Sequence, residues 1–483
     1  MSTRKNTVLM AGYEVLIYLI PLIVAPYLSR VIGPAGIGIY SYTYSIAGYF
    51  VIIIQLGVSL YGRREIASQL TEYSRTQTFW GVFISISIMF VISIVGFCML
   101  VIYFNESMKT ALLAQIFVLI GAWLDISWFY FGIEDFKIAI TRNIIVKVLS
   151  MLLIFIFVKS EDDSLKYVLI MSVSSLLSVA VMWISLPRKI CKCKISIHDV
   201  LKHIKPLFIL AIPVISIQLY SMTDKVILGL LMDIDTVGIY DNMYKLSRVP
   251  IALITTIGTV MLPRITNMIA SGEGDRTYSY IHRSFIITSA LGSLCCFGLI
   301  AISSKFVELY FGPAFNAGVP TLRILSLVLI VISIGNVFRT QFIIPRKLDS
   351  IYVISVVAAA VINILLNCLL IPILGLVGAA ISSLIAEVVV CIYQCFKIRK
   401  SFNYAALFMQ ASKYHISAII MCVAVMGFGY VYDEASLIIV VLQVILGLTI
   451  FITSTIVFEK IANEKVITYE LKRLINVMVN RGY

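Results

Sequence analysis

The chain is laid out as apolar runs of roughly 20 residues separated by short polar stretches, and each run is long enough for one helix to cross a bilayer core. About 14 such runs can be placed. They start with 8–28 and 37–61, pass through 111–131, 139–158 and 207–229, and end with 436–457. An even number puts both termini on the same side of the membrane. The first run, which follows Arg4 and Lys5, is long enough to span and has no small-residue cleavage site after it, so it is read as a retained helix.

Composition agrees with this pattern. A chain of 483 residues that is 60% hydrophobic and 13% charged, with a mean hydropathy of +1.00, lies far outside the soluble range. The fold expected is an all-α polytopic membrane protein. The net charge of +13 invites a nucleic-acid reading, but the placement of the basic residues argues against it. Arg4 and Lys5, Arg63 and Arg64, the segment from Arg188 to Lys205, Arg346 and Lys347, Lys397 to Lys400, and Lys472 and Arg473 all fall on one set of ends. The opposite ends carry mostly acids, among them Glu161, Asp162, Asp163, Asp233, Asp235, Asp433 and Glu434. Basic loops face the cytoplasm, so both termini are expected to be cytoplasmic. The positive charge then reports topology and contact with membrane lipid, and no nucleic-acid partner is expected.

The most basic internal connection, Pro187 to Lys205, separates the sixth run from the seventh. A short echo supports division there: Gly38-Ile39-Tyr40 with Tyr44 opens the second run, and Gly238-Ile239-Tyr240 with Tyr244 opens the eighth. This predicts two parallel six-helix copies. An N-lobe of helices 1–6 is expected over 1–190, a cytoplasmic basic linker over 191–205, a C-lobe of helices 7–12 over 206–400, and helices 13–14 with a cytoplasmic tail over 401–483. The linker holds Cys191, Cys193, His198 and His203, residue types that suit zinc. Their spacing fits no finger pattern, and no metal site is expected. The remaining cysteines are scattered, several inside spans, with no disulfide framework.

Three patches resemble the bacterial polysaccharide flippases, the O-antigen and capsule repeat-unit exporters of the multidrug/oligosaccharidyl-lipid/polysaccharide exporter superfamily. The first is Gly33-Pro34-Ala35-Gly36-Ile37-Gly38-Ile39-Tyr40 followed by Gly57 and Tyr61-Gly62-Arg63-Arg64-Glu65-Ile66-Ala67. The second is Trp128 to Phe136, in which Phe131 stands where that family often has glutamine. The third comprises Pro345, Asn363, Asn367, Pro372, Gly375, Gly378 and Ala379. The resemblance implies two six-helix lobes around a central cavity plus two C-terminal helices, in the bacterial cytoplasmic membrane. It also implies alternating access, an undecaprenyl-diphosphate-linked glycan as cargo, and polysaccharide polymerase machinery as a further partner.

Charges inside the spans carry the chemistry. Ionisable groups at membrane depth usually face a bundle interior or a wet path. Asp241, Lys245 and Arg248 are spaced four and then three apart, so one helical face carries all three, with Tyr244 beside it. The matching stretch in the first copy is Ser41, Ser45 and Gly48, small where the second copy is charged. Two readings stand side by side. In one, Lys245, Arg248 and Lys225 attract the diphosphate while the small face leaves room for sugar. In the other, Asp224, Lys225, Asp241 and Lys245 form an ion-pair network that locks two helices together. Arg30 and Arg323 join the substrate-binding candidates, with snorkelling to the interface as their alternative.

Asp224, Asp241, Glu14 and Glu387 are candidates for coupling to H+ or Na+, since a carboxylate in apolar surroundings can trade a proton. A protonated structural acid is the alternative for each, and no other cofactor is expected. Pro21 and Pro26, Pro213 and Pro250 sit inside spans, as hinges or as ordinary kinks. There is no phosphate-binding glycine loop with its lysine and no nucleophile elbow, so the chain is read as a non-enzyme. A multidrug or cation antiporter, and a flippase for a lipid-linked cell-wall precursor, remain alternatives.

Overall fold

The computed structural model of the protein describes residues 20–432, 434–463 and 466–469. Every regular element in it is helical, and its contacts divide the chain into two compact units, 1–241 and 242–483. The first unit holds α1 (Ile20–Val31), α2 (Gly33–Gln55), α3 (Val58–Ala67), α4 (Glu72–Val101), α5 (Glu106–Ala114), α6 (Ile116–Leu124), α7 (Ser127–Gly132), α8 (Phe136–Phe157), α9 (Ser164–Ser185) and α10 (Ile197–Leu231). Helix α11 (Ile234–Ala270) runs without a break from this unit into the next. The second unit continues with α12 (Gly274–Phe311), α13 (Val319–Phe338), α14 (Asp349–Leu374), α15 (Leu376–Lys397), α16 (Tyr404–Val431) and α17 (Leu437–Ile461).

Among the described residues, 12 helical stretches are long and apolar enough to cross a membrane. The other two expected spans are the first, described only from Ile20, and α8, which carries Lys137, Arg142 and Lys147. Large apolar side chains stand exposed along α4, α14, α16 and α17, including Ile92, Leu365, Val423 and Ile438. Such a surface is untenable in water and natural in lipid. The molecule is a multi-pass membrane protein.

Between helices that share lipid as solvent, apolar burial gains little, so small residues and hydrogen bonds do the joining. In the first unit α2 is the hub, packing against α4, α5, α6, α9 and α10. Gln115, fully buried, donates to Thr43 on α2 at 3.0 Å and accepts from Ser172 on α9 at 3.1 Å. In the second unit α12 packs on α13, α16 and α17, and α15 joins α13 to α14. Ala301, Ala418, Met421, Cys422, Val425 and Phe451 fill the α12–α16–α17 core.

Two spans read as continuous are interrupted. The run 37–61 breaks between α2 and α3 at Leu56 and Gly57, with φ of 36° and 70°. A Cβ at Gly57 would lie 2.8 Å from the Ala211 nitrogen on α10, so side-chain-free, left-handed backbone is required there. The run 111–131 breaks after α5 and again between α6 and α7, where the Asp125 carboxylate accepts the N–H of Ser127, the first residue of α7, at 2.9 Å. Apolar run length reports none of these breaks. Helix α10 begins inside the basic connection, where Ser196 and Asp199 form a reciprocal capping box. His203, on this extension, bonds the Tyr61 hydroxyl of α3, and Cys191 bonds Thr76 of α4.

The family-like patches are packing sites. The Trp128 ring lies against Gly62, Ile66 against Gly132, and Arg63 sits 5.9 Å from the Phe131 ring centre. A Cβ at Gly378 would meet the Leu370 carbonyl at 2.4 Å, which places that patch at the tight α14–α15 hairpin.

Candidate functional site

The charged stretch singled out in the sequence divides between the units. In the first, α10 supplies Asp224 and Lys225, and the first turns of α11 supply Tyr240 and Asp241. Both carboxylates are fully buried. A buried charge is tolerable only when paired and hydrogen-bonded. Lys225 Nζ lies 2.6 Å from Asp241 Oδ1, and the Ser41 hydroxyl donates to Asp241 Oδ2 at 2.6 Å. The Tyr240 hydroxyl donates to Asp224 Oδ2. Next to Asp224, the Tyr49 hydroxyl donates to Thr223 at 3.0 Å. Ser41, noted in the sequence only for being small, therefore supports the acid that stands at its own position in the second copy.

In the second unit, Arg248 of α11 sits half-buried, 4.7 Å from the Tyr244 ring centre, and its guanidinium lies 3.6 Å from Glu387 Oε1 on α15. The structure thus brings together three sequence candidates, Tyr244, Arg248 and Glu387, that lie up to 143 positions apart in the chain (387 − 244). Lys245 is exposed on α11. Asp241, which in the sequence precedes it at favourable helical spacing, is engaged by Lys225 and Ser41. Arg323 on α13 donates to Ser303 of α12 at 2.9 Å, and exposed Arg30 donates to the Pro26 carbonyl of its own helix at 2.9 Å. Glu14 lies outside the described residues.

Sequence reasoning passed over Arg339 and Asn336. The five residues Arg339–Ile343 form a π-turn after α13, a distortion often found at functional sites. Arg339 donates to Asn336 Oδ1 at 3.0 Å. In the sequence Arg339 is one basic charge among several at a span end, and no apolar run shows a π-turn. Pro250 lies inside α11 and Pro213 inside α10, with helix continuing on both sides.

Many apolar spans, charge at membrane depth and interrupted helices together define a polytopic helical membrane protein with a polar interior. The chain belongs to the polysaccharide biosynthesis protein family, whose pattern matches residues 3–269, more than half its length. The pattern for lipid II flippase MurJ matches residues 191–446. A protein of Escherichia coli (strain K12) named as a putative O-antigen transporter is 26% identical over 395 residues, covering 81% of this chain and 95% of that one. Among solved structures, lipid II flippase MurJ in an inward closed conformation superposes with a TM-score of 0.66 at 16% identity, covering 92% of this chain and 99% of that one. A eukaryotic MATE transporter, AtDTX14, superposes with a TM-score of 0.52 at 16% identity over 84% and 95% of the two chains. The resemblance read from the Gly33–Ala67 and Trp128–Phe136 patches is borne out.

Proposed function

We propose that the protein is a flippase that moves an undecaprenyl-diphosphate-linked oligosaccharide across the cytoplasmic membrane by alternating access. The family match and the relative named as an O-antigen transporter support the cargo class. The fold alone does not choose, because a MATE transporter shares it. The observation that carries the reading is the Arg248–Glu387 pair with the Tyr244 ring beside it. An arginine held at membrane depth by an aromatic face and one carboxylate is a site that a diphosphate can enter by exchanging one anion for another. The guanidinium fork suits phosphate oxygens better than a lysine does.

In this reading the polar head crosses through protein while the prenyl tail stays in lipid. The chain acts as a transporter and not as a catalyst, and its product passes to polymerising machinery on the far side. The distribution of basic loops supports cytoplasmic termini. Glu387, released when the diphosphate takes Arg248, is the acid we assign to proton or sodium coupling. Asp224 and Asp241 are held by Tyr240, Ser41 and Lys225, an arrangement that favours the helix-locking alternative for them.

The test is reconstitution into vesicles containing a fluorescent undecaprenyl-diphosphate oligosaccharide, with a membrane-impermeant quencher reporting transfer between leaflets. Protein-dependent transfer that falls about tenfold in Arg248→Ala supports the reading. Transfer no faster than in empty vesicles refutes it.

A further inference from the structure

Two of the helix interruptions of the first unit border one cavity. Gln55 ends α2 just before the left-handed Leu56 and Gly57, and Asp125 accepts the Ser127 N–H at the break between α6 and α7. At membrane depth, non-helical backbone persists only where it is buried in protein or lines a wet cavity, and interrupted spans commonly frame transporter binding sites. The cavity has a volume of about 400 Å³, within the ~300–1,000 Å³ of ordinary small-molecule sites. Its lining includes Gln55, Asp125, Phe131, Arg142, Asn143 and Gln218. It contains none of the charged residues assigned above to the diphosphate.

The chemistry of this lining excludes one part of the cargo and suits another. Asp125 and Arg142 cancel formally, and the buried Arg142 already donates to the Ser178 carbonyl. A diphosphate placed here would add negative charge with no cation in excess. Three carboxamides and a carboxylate, by contrast, offer donors and acceptors side by side, the pattern that neighbouring hydroxyls on a sugar ring require. Phe131 adds an apolar face for the ring's C–H side.

We infer that this cavity is a sugar subsite that takes a hexose-type ring of the glycan through Gln55, Asp125, Asn143 and Gln218. The inference rests on the flippase reading and deepens it: the first unit selects sugar, whereas the diphosphate is held elsewhere.

The experiment uses the full chain in lipid nanodiscs and compares bare undecaprenyl diphosphate with the same lipid bearing one hexose or one N-acetylhexosamine, with binding read by native mass spectrometry. At least one sugar-bearing lipid is expected to bind about tenfold tighter than the bare lipid. Asp125→Asn and Gln55→Ala should erase that preference and leave affinity for the bare lipid unchanged. Gln218→Ala on α10 gives a second route should either variant melt early. Equal binding of all the lipids to the wild type, a preference that survives in the variants, or equal loss of every lipid in them overturns the subsite. If no lipid binds the wild type, the flippase reading itself fails and the subsite fails with it.

Discussion

Gly38 and Gly238 meet backbone to backbone. A Cβ on Gly38 would lie 2.0 Å from the Ile234 carbonyl oxygen, and a Cβ on Gly238 would lie 2.0 Å from that of Pro34. The relation is reciprocal: each glycine faces the residue four positions before its counterpart, and Ser41 bonds Asp241 across the same offset of 200. The two copies of the Gly-Ile-Tyr echo thus cross each other at α2 and α11, where the small residue permits the contact.

The first prediction follows from that distance. Gly38→Ala or Gly238→Ala places a methyl group against main-chain atoms that cannot swing aside, so each should cost about 1–3 kcal/mol and lower the thermal midpoint in detergent. Because one separation of the helices relieves both clashes, the double variant should lose less than the two singles added together. Strict additivity, or a single variant that melts with the wild type, would show that the crossing has slack.

A buried ion pair predicts a different signature. With Asp241 fully buried and Lys225 beside it, Lys225→Met removes the cation 2.6 Å from a buried carboxylate, a loss on the order of 3–5 kcal/mol. Lys225→Met combined with Asp241→Asn removes both charges and should recover part of that loss, since the carboxamide introduced by the second substitution can still bond Ser41. Thermal unfolding of Lys225→Met, Asp241→Asn and the double variant measures the coupling. A double variant worse than Lys225→Met alone would contradict the assignment.

Much of this was legible in the chain. Spans follow from run length, and the two stretches of the Gly-Ile-Tyr echo are the ones that meet at Gly38 and Gly238. What was not legible depends on contact between distant segments. That Ser41 would hold Asp241, or that Arg248 would find Glu387, is decided by which helix faces touch, and no local spacing carries that information. The breaks at Leu56 and Asp125 also escaped, because an apolar run passes through each. Gly57 and Asp125 were the signals available, and each needed its neighbours in the fold to be read.

At Arg248 the prediction separates charge from shape. Arg248→Lys keeps the cation but loses the planar fork and most of the stacking on Tyr244, so transport in reconstituted vesicles should fall about tenfold while folding is retained. Glu387→Gln weakens the competitor for the guanidinium and should tighten binding of undecaprenyl diphosphate. Transport in Arg248→Lys equal to that of the wild type would reduce the residue's role to a positive charge.

The last prediction concerns pH and lies outside the spans. His203 is buried on the extension of α10 that precedes its membrane span, with Nδ1 2.6 Å from the Tyr61 hydroxyl. Burial, reinforced by Lys202 and opposed by Asp199, lowers its pKa from 6.5 to about 4. The imidazole is therefore neutral in the fold, whereas in the unfolded chain it takes up a proton below pH 6.5. Between those values the unfolded state binds more protons, so stability rises with pH and is lost as the solution is acidified from 6.5 towards 4. From about pH 7 to about pH 5 the loss attributable to this group is roughly 2 kcal/mol. Asp199, whose pKa is held low chiefly by hydrogen bonds from Ser196, adds to the same trend only below the ordinary carboxylate range. His203→Gln, which keeps a hydrogen-bonding partner for Tyr61 but cannot titrate, should flatten the dependence of the thermal midpoint across that same interval. An unchanged slope in that variant would place the acid sensitivity elsewhere in the chain.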